Sequence, residues 1–118
     1  MKRRSLLVAV SLACGLLAGE ALAALDLIET IWVAQSPGCT IREIRFYDFG
    51  HALVKADRIG NDEADWVAIH SAVHIRFEHW NGALDGEIDA DGEFKATYTW
   101  HSEETLAADS MSCVFRRN

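Results

Sequence analysis

The residues of this chain best equipped for chemistry are five histidines, a cysteine pair and a row of acids. His51, His70, His74, His79 and His101 raise the question of a metal site. If a strand runs straight from His70, His70 and His74 share a face but stand about 13 Å apart. One ion with bonds of about 2 Å cannot bridge them. His79 faces the opposite way to His74. Only a cross-strand carboxylate, Asp85 or Glu87 beside His74, would build a site. The histidines therefore read as outward polar residues, and no metal is expected. Asp85, Glu87 and Asp89 alternate along what reads as a solvated face, not as a carboxylate pair across a cleft. Ser71, next to His70, is a turn residue, and no Gly-x-Ser-x-Gly elbow or phosphate-binding glycine loop occurs. Cys39 and Cys113 lack a Cys-x-x-Cys spacing, and Cys39 has no basic or histidine neighbour to activate it. These observations weigh against an enzyme, and no cofactor is expected.

The start of the chain explains the cysteine pair. Lys2, Arg3 and Arg4 precede an apolar run from Leu6 to Leu17, and Ala21-Leu22-Ala23 offers small residues at a cleavage position. This order predicts a secretory signal peptide over residues 1–23, with the folded domain in 24–118. The apolar run is shorter than the roughly 20 residues of a membrane span, so the chain is expected not to span a membrane once the leader is cut. An uncleaved anchor and a lipid on Cys14 are the alternatives. Cys14 leaves with the leader. Cys39 and Cys113 then form an even pair in an oxidising compartment, periplasmic or extracellular, and a disulfide is the default.

Charge narrows the partners. The net charge of −7 becomes −9 when residues 1–23 are removed, because three basic residues and one acid go with them. Such a surface repels phosphate backbones, which argues against nucleic acid, and it attracts a basic protein.

The elements that must carry these residues are strands. Val73, Ile75 and Phe77 alternate with His74, Arg76 and Glu78. Asn81-Gly82 predicts a tight hairpin, because both residue types tolerate positive φ. Leu84 to Asp89 alternates again, Asp91-Gly92 predicts a second turn, and Phe94, Ala96, Tyr98 and Trp100 share a face. That is an antiparallel meander with one dry face and one wet face. Less regular runs predict strands at 30–35, 40–47, 52–56, 66–69 and 112–116. Phe49-Gly50 turns between the second and third of these, and Gly60-Asn61-Asp62 reads as a loop. Ser102 to Met111 reads as a long loop or one short helix before the last strand. About eight strands, all-β and antiparallel, predict a single small barrel.

The aromatics are the candidate binding set. Phe77 and Phe94 read as core. Trp66, Trp80 and Trp100 fall near strand ends and Tyr98 within a strand. Trp80 sits at a hairpin tip, where it either caps the barrel end or meets a partner. Gly86, on the inward face, marks a bend of the wall or a close approach by a large neighbour such as Tyr98 or Trp100, or a ligand's seat.

The order of these motifs resembles the lipocalin-like, or calycin, barrels: an opening strand with Trp32, a meander from Trp66 to Trp100, and a C-terminal strand tied back through Cys39 and Cys113. Thr30 stands where that family has a glycine two residues before the tryptophan, and the chain is short, so the resemblance implies a tight barrel. It also implies binding of a small apolar ligand or of another protein. A second resemblance is to periplasmic lysozyme inhibitors, although their Ser-Gly-x-x-Tyr loop is absent. The expectation is a non-enzymatic periplasmic or secreted binding module for a protein or small apolar ligand. The alternatives are an inhibitor of a basic secreted enzyme such as lysozyme, and an envelope structural or stress protein.

Overall fold

The computed structural model describes residues 26–57, 60–101 and 108–118. The predicted leader, with Cys14, lies outside them, as do 102–107 of the predicted loop or helix. The chain runs through β1 (Thr30–Ala34), β2 (Ile41–Phe46), β3 (His51–Ala56), β4 (Gly60–Ile69), β5 (Ala72–Phe77), β6 (Gly82–Ile88), β7 (Glu93–His101) and β8 (Ala108–Arg117). Every neighbour is antiparallel, and β8 pairs with β1 to close the barrel. Closure leaves the sheet without an outer edge strand. No helix among the described residues is long and apolar enough to cross a membrane.

The alternating residues behave as their period dictates. Val73, Ile75, Phe77, Leu84, Phe94, Ala96 and Tyr98 are all buried, while His74, Arg76, Asp85, Lys95 and Thr97 are exposed. Phe46, Phe94, Phe115, Ile41, Ile44 and Ile75 are among the side chains almost wholly withdrawn from water. An eight-stranded barrel has room for little more than such side chains. Its axis is a packed core.

Four expectations are corrected. Gly60, Asn61 and Asp62 belong to β4, paired with Ala56, Lys55 and Val54. Their turn-forming types hid a strand whose inward positions are an acid and the small Ala64. Residues 108–111 belong to β8, paired with His101 to Tyr98. The pairing extends to the polar residues because β7 supplies a full row of backbone partners. Asn81 and Gly82 do not take positive φ; the chain crosses through a looser connection in which the Gly82 amide donates to the Trp80 carbonyl at 2.9 Å. The left-handed pair is at Phe49 and Gly50 instead. What crowds Gly86 is the β7 backbone, not an aromatic ring. A β-carbon there would lie 2.1 Å from the Lys95 carbonyl oxygen and 2.6 Å from Ala96 Cα.

Cys39 and Cys113 form the expected disulfide, with Cα atoms 5.4 Å apart and a sequence separation of 74. A loop of that length gives about 4–5 kcal/mol in the chain-entropy description. Both sulfurs are buried, which points to an oxidising, non-cytoplasmic compartment. Around it, the Ser36 hydroxyl accepts from the Val114 amide at 2.9 Å. A bulge at Arg42 turns that side chain onto the Ser36 and Cys39 carbonyls, at 2.9 and 3.1 Å.

Candidate functional site

The five residues singled out in the sequence do not meet in one place. Trp80, Tyr98 and Trp100 gather around Phe77 at the end of the barrel where β5 passes to β6. Ring centroids lie 5.4 Å apart for Phe77 and Trp80, 5.5 Å for Phe77 and Tyr98, and 5.0 Å for Tyr98 and Trp100. Gly86 is in the wall between Val73 and Ala96. Trp66 lies elsewhere, edge-on to Phe46 at 5.2 Å.

A carboxylate organises the Trp80 end. Asp62, inward on β4 and 4% exposed, is the buried acid of the core. It accepts from the backbone amides of His79 and Trp80, both at 2.8 Å, and from His79 Nδ1 at 2.7 Å. Burial works against its charge, but the Trp80 amide and the His79 ring and amide outweigh it and hold the carboxyl below the ordinary range. The same bond raises the His79 imidazole above its usual value. The Trp80 turn is thus pinned, and the indole lies over Phe77 as a lid.

The opposite end is closed differently. Leu27 and Trp32 are both buried, and the Thr30 hydroxyl bridges them, accepting from Trp32 Nε1 at 3.0 Å and donating to the Leu27 carbonyl at 2.5 Å. Arg117 lies over the Trp32 ring at 5.5 Å and donates to the Asp26 carbonyl and carboxylate at 2.8 and 3.0 Å. A pocket of about 490 Å³ opens there, with Leu27, Trp32, Val73 and Ile88 among its walls.

Comparison of the chain with family models, curated proteins and solved structures finds no match. The barrel's outer surface must therefore speak for itself. Tyr47, Phe49, Val67 and Ile69 are the exposed large hydrophobic residues among those described, at 42, 89, 51 and 55%. They come from two adjacent stretches. The β3–β4 register ends at His51 opposite Asp65, so the turn at 48–50 lies beside the continuation of β4. From Trp66 to Ile69, β4 has strand partners only on β5. The overhang leaves Val67 and Ile69, outward by parity, with the turn at 48–50 instead of a paired strand on the β3 side. Trp66 sits beneath this patch, its Nε1 donating to the Tyr47 carbonyl at 3.0 Å. A groove of about 560 Å³ adjoins it, lined by Val67, His74, Arg76 and Asp85.

Sequence reasoning missed these four residues. The one available signal was Phe49 directly before Gly50, an aromatic where a tight turn prefers asparagine. Elsewhere, His74 Nδ1 and Asp85 Oδ1 are 2.5 Å apart on the outer face. Across the sheet, the row continues to Thr97 and Ser112. Among the described residues no group of three or more His, Cys, Asp or Glu converges as a metal site would require.

Proposed function

We propose that this protein is a non-enzymatic binding module, exported to the periplasm or secreted, whose target is another protein. The observation that carries the reading is that, among the described residues, the exposed large apolar side chains all fall at 47–49 and 67–69, on a chain of negative net charge. Scattered exposed apolar residues need no explanation, but a contiguous set marks an interaction surface. The packed interior favours a target met at the surface over a ligand held along the barrel axis. The aromatic lid at Trp80 serves the fold. The lipocalin-like kinship is part of the same proposal and rests on the closed antiparallel meander alone.

An inhibitor of a basic secreted enzyme such as lysozyme is the narrower form of this reading, favoured by the negative charge. Binding of a small apolar ligand is a second reading, favoured by the pocket at the Leu27 and Trp32 end. Role as an envelope structural protein is the third. The deciding experiment compares wild type with Ile69→Asp and with Ile88→Trp. Capture of a protein from the exported fraction, lost with Ile69→Asp and kept with Ile88→Trp, is the expected result. Native mass spectrometry showing a retained small molecule, displaced by Ile88→Trp, with no protein captured, would replace it by the pocket reading.

A further inference from the structure

Phe49 occupies a position that folding alone would not give to phenylalanine. It has φ 60° and ψ 28°, and Gly50 follows at φ 72°. The His51 amide donates back to the Asp48 carbonyl, and the Tyr47 amide donates to the His51 carbonyl at 2.8 Å. The connection of three residues, 48–50, thus places Phe49 in the left-handed region, a conformation normally given to Asn, Asp or Gly. Any other side chain there costs about 1 kcal/mol, because its β-carbon crowds the following carbonyl. The cost is not recovered by burial, since the ring is 89% exposed. The chain does contain Asn-Gly, at Asn81-Gly82, where neither residue uses positive φ.

The turn is nonetheless held firmly. Trp66 donates to Tyr47 from below, and Gly50 packs so that a β-carbon would lie 3.2 Å from the Trp66 carbonyl oxygen. A rigid turn carrying an exposed aromatic is the form of a preorganised anchor, which loses little entropy on binding. Around it stand the exposed acids Glu29, Asp48, Glu63 and Asp65. Of the nearby arginines, Arg45 is taken by Glu43 at 2.8 Å, and Arg76 lies opposite Asp65. A second copy of this chain, with its own net charge of −7, and an anionic membrane are both repelled by such a surround.

We propose that Phe49 is a recognition side chain, carried at a cost to folding, that enters an apolar pocket on the surface of a basic protein. The proposal rests on the protein-binding reading above and names the residue and the partner's chemistry. It is tested with Phe49→Asn in the full chain. The melting temperature is expected to rise by about 3–6 °C as the turn strain is relieved. Wild type, immobilised and offered the exported-protein fraction, is expected to retain a protein of high isoelectric point. That retention falls between about 50 and 500 mM salt and drops about tenfold or more with Phe49→Asn. A melting temperature that falls with Phe49→Asn would show that the ring serves the fold and overturn the proposal. Equal retention by both forms, or an acidic partner, would also overturn it while leaving protein binding standing. Retention of nothing by wild type would sink both.

Discussion

The molecule carries two aromatic residues at hairpin tips, and they are treated in opposite ways. Trp80 turns inward, meets Phe77 edge-on, and has its amide fixed by Asp62. Phe49 turns outward and stays almost fully in water. Each tip is held by a long-range hydrogen bond, Asp62 to the first and Trp66 to the second. The difference lies in what the holding serves. At Trp80 it lowers an aromatic lid onto the core, and at Phe49 it steadies a backbone whose side chain contributes nothing to packing. Similar position in a hairpin is therefore a poor guide to role; the direction of the side chain and the fate of its area decide.

The sharpest way to break the contrast is at the buried acid. Asp62→Ala strips the partner from two backbone amides and is expected to cost about 3 kcal/mol in urea unfolding. A loss under about 1 kcal/mol would mean that the Trp80 turn does not depend on the carboxylate. Next in size, Trp80→Ala should cost about 2 kcal/mol, less than a fully buried tryptophan because the residue keeps part of its surface in water. The matching change Phe49→Ala should lie within about 0.5 kcal/mol of wild type, as exposed positions do. Equal losses at the two tips would erase the distinction.

The smallest effect is the pH dependence of the His79–Asp62 pair. The imidazole's value is raised in the fold, so its contribution is complete below the unfolded value near 6.5 and fades as pH climbs through the folded one. The carboxyl's value is lowered, so its contribution is complete above the unfolded value near 3.9 and fades as pH drops through the folded one. The melting temperatures of wild type and His79→Ala should differ most between about pH 4 and 6.5 and converge in alkali. A gap that widens above neutrality would contradict the pairing.

Much of the barrel was legible because residues 73–100 alternate cleanly, and the burial of Phe77, Leu84 and Tyr98 follows that alternation. The Cys39–Cys113 bond was legible from the count of cysteines. The first half of β4 was not, since its inward residues are Asp62 and Ala64 and its opening residues are turn formers. An inward acid makes sense only once the amides of 79 and 80 arrive from a distant hairpin. The patch was hidden for a different reason. Val67 and Ile69 look like any strand's apolar residues, and their exposure comes from the stagger by which β4 outruns β3, a property of closure rather than of local pattern.

The seam between β1 and β8 has its own consequence. The Ala34 position pairs with Phe115, and the Asn118 amide donates to the Ile31 carbonyl at 2.8 Å. The first strand must therefore wait, unmatched on one side, until the last has been synthesised. Contacts so remote in sequence slow assembly, and the ring of strands is completed only when the two ends of the domain meet.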